Sequence, residues 1–427
     1  MKWLTALAAA MLPVAALAQL LPGGPGLPAV PGVPSVGQVA ERLDATVDRV
    51  AEVPQAVARL AQERLDRIDS LVRAHPGDIA RDDHGDAARA DEVIVQDADA
   101  ATVNAATKAG FTLIEQSRIA GLDIGYARFR PPPGKSLAAA IKAIRKLASG
   151  KAVSADVLHF PAGGVAAGHG SSEAPAPERG AAPARIGMID GAPSSAAGLN
   201  GTVTHAGFAR GAGQPSNHGS AVASLMLGTA RIRGAAPGSA LWAADVYGDD
   251  PAGGNALAIA RALGWLVEAR VPVTVISLVG PSNPLLARAV SAAQARGMVI
   301  VAAVGNDGPA APPAYPASYP GVIAVTAVDG HDRVLIEAGR ALHLDYAAPG
   351  ADMLAADARG NAMPVRGTSF AAPLVAALAA RHYTTPDPSR VASLIQALNA
   401  AARADGRSPS SRIGRGLLCS ACRTPLK

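Results

Sequence analysis

The sequence predicts an α/β fold, a parallel sheet sandwiched between helices, with a small α+β domain ahead of it. Three observations predict this. From residue 185 onward, almost continuously apolar segments alternate with helical ones, as in a parallel sheet covered on both faces. Between residues 91 and 160 the segments run in the order βαββαβ, that of a small split βαβ sandwich. Between the two lie residues 161–184, rich in Gly, Ala, Ser and Pro and without periodicity, which read as a linker. Of the 427 residues, 49% are hydrophobic but only 3% aromatic, so the core must be built from Ala, Val, Leu and Ile. The net charge of +5 is too mild to argue for a nucleic-acid partner.

Taken in order, residues 1–18 predict a secretory signal. Lys2 opens it, residues 3–15 are almost wholly apolar, and Ala16-Leu17-Ala18 is a small-x-small cleavage site before Gln19. The run is short of the roughly 20 residues a membrane span needs. Residues 19–90 then divide into a Pro- and Gly-rich linker at 20–37 and an amphipathic helix. Val39, Leu43, Val50, Val53, Val57 and Leu60 form its stripe, and Leu65, Ile68 and Val72 continue it with a shift. Pro54 is expected to kink or split this helix. It either binds a partner or lies on the next domain, and the polar stretch 77–91 reads as a loop.

Within 91–160, strands are expected at "DEVIVQD", "FTLIEQSRI", "LDIGYARFRP" and "AVSADVLHF". Helices are expected at "ADAATVNAATKAG" and "SLAAAIKAIRKLASG", the latter capped by Ser136 and stopped by Gly150. In the region 185–427, "RIGMID", "ALWAADVY", "VTVISLVG", "MVIVAAVGN" and "VIAVTAVD" are the expected strands. "GSAVASLML", "NALAIARALGWLVEA" and "NPLLARAVSAAQARG" are helices among them, with two more from Phe370 and from Ser389. In such sheets the chemistry lies at the carboxyl ends of strands.

Three residues near such ends could carry chemistry. Asp190 closes "RIGMID", and an acid after mostly apolar residues is costly to bury without a partner. His218 and Ser369 each stand near a helix start. Singly, each has an ordinary reading: a turn cap, a surface residue, an N-cap. Together they make one machine, since a Ser hydroxyl needs a base within hydrogen-bond reach and imidazole needs a carboxylate to fix its tautomer. Asn306, following an apolar strand and Gly305, could reach into the cleft as an oxyanion donor. The two cysteines, Cys419 and Cys422, suit a small disulfide loop in an exported chain. A zinc site would need about two further ligands, which are not supplied.

The order Asp, His, Asn, Ser with these flanks resembles the subtilisin-like serine peptidases. "IGMIDGA", "HGSAVASLMLG", "VISLVGP", "VAAVGNDGP" and "GTSFAAPLVA" carry the resemblance, which covers about residues 185–418. It implies that Ser369 is the nucleophile, His218 the general base and acid, and Asp190 the orienting carboxylate. Asn306 and the Ser369 backbone N–H would form the oxyanion hole. Substrate would add as a strand along Ser277, Leu278, Val279 and Gly280, with Pro251-Ala252-Gly253 opposite. Ala314 and Gly305 would leave room for a sizeable apolar side chain before the cut bond. The domain at 91–160 resembles the family's inhibitory propeptide, with its last strand, near Phe160, in the active site.

The sequence departs from the family at several places. Gly191-Ala192 follows the Asp where Ser or Thr and then Gly is usual, Val279 adds bulk beside the cleft, and Pro161 follows Phe160. No calcium loop is recognisable, so no metal and no cofactor are expected. The partners implied are a protein or peptide substrate and the chain's own propeptide-like domain, in the periplasm or outside the cell, with no membrane span in the mature chain. The rival reading keeps the fold as a catalytically silent peptide-binding module. A different α/β hydrolase would want G-x-S-x-G, which "RGTSFAAP" is not.

Overall fold

The computed structural model describes residues 36–165, 183–404 and 409–426. The expected signal segment, nearly all of the Pro-rich stretch and most of the 161–184 linker lie outside the described residues. Residues 1–55 and 56–427 form separate compact units. Of the first unit, only the start of α1 (Val36–Ala74) is described. Pro54 does not split this helix as expected, because one missing ladder bond leaves many others in a helix of 39 residues. Within the second unit, Ile68, Leu71 and Val72 of α1 pack against Ile79, Ala87, Leu158, Phe160 and Ala252.

The small domain contains β1 (Ile79–Arg81), β2 (Ala87–Gln96), α2 (Ala100–Lys108), β3 (Thr112–Ile119), β4 (Ile124–Arg130), α3 (Leu137–Leu147) and β5 (Val153–Val157). Its antiparallel sheet runs β1-β2-β4-β3, with β5 also on β2. The expected loop at 77–91 is in part a hairpin. Asp82 accepts the N–H groups of His84 and Asp86 at 2.8 and 2.9 Å, so the polar residues there fold a tight turn between β1 and β2. Asp99 and Ser136 cap α2 and α3 through their side chains. The chain then continues through β6 (Phe160–Pro161) and β7 (Gly164–Val165).

Next come β8 (Arg185–Asp190), β9 (Thr202–Gly207), α4 (Asn217–Leu227), β10 (Ala240–Asp245), α5 (Ala256–Glu268), β11 (Val273–Ile276), β12 (Leu278–Val279), α6 (Pro284–Ala295), β13 (Val299–Ala303) and β14 (Ile323–Val328). After them follow β15 (Tyr346–Pro349), β16 (Met353–Ala356), β17 (Ala362–Arg366), α7 (Thr368–His382) and α8 (Val391–Ala404). Seven strands form one parallel sheet in the order β15-β14-β13-β11-β8-β10-β9. Alternation along each strand sorts its two faces. Met188, Val275, Val301 and Val325 join α4 and α7 in one core, while Ile189, Ile276, Ala302 and Ala324 join α5 and α6 in the other.

That second core does not stop at the sheet domain. It runs on into Val93, Tyr126, Phe129 and Ile141, so the small domain and the helices beneath it share one apolar interior. Arg261 of α5 donates to Glu115 at 2.6 Å, and the N–H of Leu257 donates to Asp156 at 2.9 Å. The expected strand "VTVISLVG" is two pieces. After Ile276 the chain leaves the large sheet, and Leu278–Val279 pair with β6 instead.

Candidate active site

Asp190, His218 and Ser369 come together at the carboxyl edge of the sheet. Asp190 is the last residue of β8 and wholly buried. His218 Nδ1 lies 2.9 Å from each of its carboxylate oxygens. With the proton on Nδ1, His218 Nε2 accepts from Ser369 Oγ at 3.0 Å. Three local devices hold this line. Ser216 caps α4 by accepting from Gly219 N–H at 3.2 Å, which sets His218 on the first turn. The ring of Phe370 packs on the imidazole at 5.4 Å between centroids. Gly191 donates to Asp190 at 2.7 Å, and a Cβ there would lie 2.6 Å from that of Ser216, so only glycine fits between the carboxylate and the α4 cap. The absent hydroxyl after Asp190 is thus replaced, in hydrogen-bonding terms, by a backbone N–H.

Ser369 does not cap its helix. The cap position of α7 is Gly367, at φ +141°, where a Cβ would come within 2.6 Å of Asn306 Nδ2 and of Gly163 Cα. Ser369 therefore sits inside the first turn with its N–H free of the helix ladder. That N–H donates to the carbonyl of Ala162 at 2.8 Å, and Asn306 Nδ2 donates to the same oxygen. Asn306 is itself fixed, because its Oδ1 accepts from Thr368 N–H at 3.0 Å. Thr368 Oγ1 accepts from Gly305 N–H at 3.0 Å, and Ser277 Oγ donates to the carbonyl of Ser369 at 3.1 Å. The two donors and the hydroxyl are thereby tied into one rigid assembly.

The chain's own segment 158–165 runs through this assembly as an extended strand. Phe160 and Pro161 pair antiparallel with Val279 and Leu278, and Ala162 N–H donates to the carbonyl of Ser277 at 3.0 Å. Beyond the Ala162–Gly163 bond, β7 pairs antiparallel with β17. A Cβ on Gly163 would fall 2.1 Å from Ser369 Oγ, so the serine faces that peptide unit directly. Gly280 lies under His159, where a Cβ would meet its ring at 2.7 Å.

The opposite edge is one residue further along than expected. Gly253 N–H is tied to the Asp250 carbonyl, while His159 N–H donates to the Gly254 carbonyl at 2.8 Å and Leu158 pairs with Asn255. Of the expected edge 251–253, Gly253 spends its N–H inside the tight 250–253 turn. Tyr247 adds a hydroxyl that donates to the His159 carbonyl at 2.8 Å. Beside Phe160 a cavity of about 660 Å³ opens, walled by Val279, Gly305, Ala314 and Tyr315. The methyls of Val279 approach Gly305, so the added bulk forms a wall of this cavity and leaves the strand edge open.

A sequence profile of the Subtilase family matches residues 198–416, just over half of the chain. The chain belongs to the subtilase family. Among curated relatives, it is 34% identical to Subtilisin DY of Bacillus licheniformis over 172 residues, 39% of this chain and 62% of that protein. It is also 34% identical to Subtilisin BL of Lederbergia lenta over 177 residues, 39% of this chain and 65% of that protein. The matches thus span less than two thirds of those relatives' own length. Two solved structures share the fold at 16% identity. Fervidolysin from Fervidobacterium pennivorans, a keratinolytic enzyme, has a TM-score of 0.62 over 78% of this chain and 61% of its own. The epidermin leader peptide processing serine protease of Staphylococcus aureus has a TM-score of 0.59 over 78% of this chain and 97% of its own. Asp190 lies upstream of the residues the profile matches, so in this subtilase its place rests on the 2.9 Å contacts to His218.

Several residues of this subtilase's site were not singled out from sequence. Ala162, Gly163, His159, Tyr247, Gly254 and Thr368 belong to it through backbone position or through contacts distant in the chain. Only the Gly-Thr-Ser string hinted at Thr368. His159 is wholly buried and neither ring nitrogen has a hydrogen-bond partner among the described residues. Burial pushes its imidazole down to about 4. Cys419 and Cys422 form a disulfide. Among the described residues, Asp329, His331 and Asp352 could present ligand atoms together. Their carboxylates already accept from the backbone N–H groups of Gly330, His331 and Arg333.

Proposed function

We propose that this chain is an exported serine endopeptidase made as a self-inhibited precursor, and that its first substrate is its own Ala162–Gly163 bond. One observation carries the reading: the Ala162 carbonyl accepts from both Ser369 N–H and Asn306 Nδ2 while Ser369 Oγ is hydrogen-bonded to His218. Those donors aim where negative charge develops when a nucleophile adds to that carbonyl. Ser369 Oγ attacks the Ala162 carbon and its proton passes to His218 Nε2, with Asp190 holding the tautomer and stabilising the imidazolium. The C–N bond to Gly163 then breaks, and His218 returns the proton to the leaving amine. Water, deprotonated by the same imidazole, releases Ala162 as a carboxylate. The domain before Ala162 blocks the cleft in the uncut chain and, once cut, remains as a bound product. Export rests on the charged start, apolar run and small-x-small site of residues 1–18.

The test uses the full chain beside Ser369→Ala. Wild type should acquire a new N-terminus at Gly163, and after removal of the small domain it should react with a fluorophosphonate probe. Ser369→Ala should do neither. A trimmed wild type that takes up no probe at Ser369 would leave only the silent binding module.

A further inference from the structure

The amphipathic helix α1 lies upstream of the small domain, and the peptidase reading gives it no work. Its described side chains converge on the cleft. Arg67 Nη2 meets Asp307 Oδ1 at 2.6 Å, and Arg64 Nε meets Asp307 Oδ2 at 3.5 Å. Asp307 follows Asn306 directly, so both guanidiniums grip the loop that carries the oxyanion donor. Leu60 rests on Gly308, where a Cβ would lie 3.1 Å from its Cδ1. Ile68, Leu71 and Val72 pack with Leu158 and Phe160, two residues of the inhibiting strand. The cavity beside Phe160 is also lined by Leu65 and Ile68 of the same helix. Leu158 and Phe160 of the strand and Leu65 and Ile68 of the helix thus wall one cavity between them.

We propose that α1 is a second inhibitory element, a strap that clamps residues 158–160 onto the cleft and closes one side of the cavity beside Phe160. It thereby retains the N-terminal piece after the Ala162–Gly163 bond is cut. This rests on the peptidase reading above. Cutting the bond severs the covalent tie, but the apolar packing and the Asp307 pairs remain, so active enzyme appears only once the strap dissociates. Arg67 is about half exposed and Arg64 and Asp307 are only partly buried, so the pairs remain within reach of screening by salt, as suits a clamp that must eventually open.

The experiment follows the full chain in time, reading the cut by N-terminal sequencing and free enzyme by hydrolysis of an added peptide. Wild type should show a lag between the two. In Arg64→Ala/Arg67→Ala the lag, counted from the cut, should shorten about three- to tenfold. Arg64→Lys/Arg67→Lys should restore most of the lag. Raising salt from about 0.05 M to about 0.5 M should shorten the wild-type lag by a larger factor than that of the alanine double variant, which keeps other pairs across the same contact, such as Arg261–Glu115. A chain that cuts itself but shows the same lag and the same salt response in wild type and double alanine variant overturns the strap alone. A chain that never cuts at Gly163 overturns the peptidase reading and the strap with it.

Discussion

Asn306 shows how far a single side chain is determined by its neighbours. Its carboxamide oxygen is spent on Thr368 N–H and its nitrogen is turned toward the Ala162 carbonyl, so neither end is free to rotate. A donor held in this way strengthens as the carbonyl becomes an oxyanion and contributes little to binding before that. Asn306→Ala in the processed enzyme is therefore expected to lower kcat by about two to three orders of magnitude with little change in KM. Steady-state hydrolysis of a peptide substrate checks this, and a rise in KM alone would remove Asn306 from the oxyanion site. At this scale much was legible. Asp190 and Asn306 stand out at the ends of apolar strands, where a polar group is costly to bury, while His218 and Ser369 at helix starts gain meaning only in combination with them. Ala162 and Gly163 were not legible, since nothing in their small side chains marks them, and only the folded backbone brings them to the serine.

On the peptidase reading, β6 and the extended residues just before it form the element on which inhibition depends. His159 enters it wholly buried, its imidazole pushed down to about 4 by loss of solvent, against an ordinary value of 6.5. The docked strand thus excludes a proton that the free strand would take up. This contribution to docking is complete above pH 6.5 and is lost progressively as pH falls toward 4. Asp156, at the end of β5, works in the opposite sense. Burial, and then the charge of Glu92, raise its carboxyl to about 7, so its contribution favours docking at low pH and declines as pH rises from 3.8 to 7. The two overlap, so the informative quantity is the difference between wild type and His159→Leu. Release of the nicked N-terminal piece should quicken by roughly an order of magnitude more in wild type than in the variant between about pH 7.5 and about pH 5. Equal pH responses, measured by size-exclusion of the nicked chain, would remove His159 from this role. Elements were read well where apolar runs were long, as in β8, β13, β14, α5 and α6. They were misread where polarity encoded a turn, as at Asp82, or where a strand sits at an edge. β9 is largely exposed and carries no apolar pattern, and β15 is only four residues long.

Across the whole molecule, the small domain and the sheet domain are not two cores joined by a linker. Val93, Phe129 and Ile141 share one interior with Leu263, Leu285 and Val290, so the outer faces of α5 and α6 are finished by residues that precede Ala162. A parallel sheet of seven strands also depends on long-range pairings, which form slowly. A chain beginning at Gly163 is therefore expected to refold with several-fold lower yield than the full chain. Adding residues 56–162 as a separate polypeptide should restore it, scored by Ser369-dependent probe labelling. Equal yields would mean that the sheet domain completes its fold unaided. This sharing of one interior was hidden in the sequence, because the low-complexity stretch at 161–184 marks a separation along the chain and says nothing about separation in space.

The pairing of β6 with β12 and of β7 with β17 has a kinetic meaning on the peptidase reading. Both sides of the Ala162–Gly163 bond are gripped independently, and the far side is covalently tethered to β8. When the acyl-enzyme forms, the departing amine stays beside it at a high effective concentration. Water then competes with an amine that can remake the bond it has just left, and successive turnovers scramble rather than advance. Processing becomes a partition between resealing and escape. What commits the precursor to the cut is the peeling of Gly164 and Val165 from β17, a few backbone hydrogen bonds whose opening rate sets the pace of that first step.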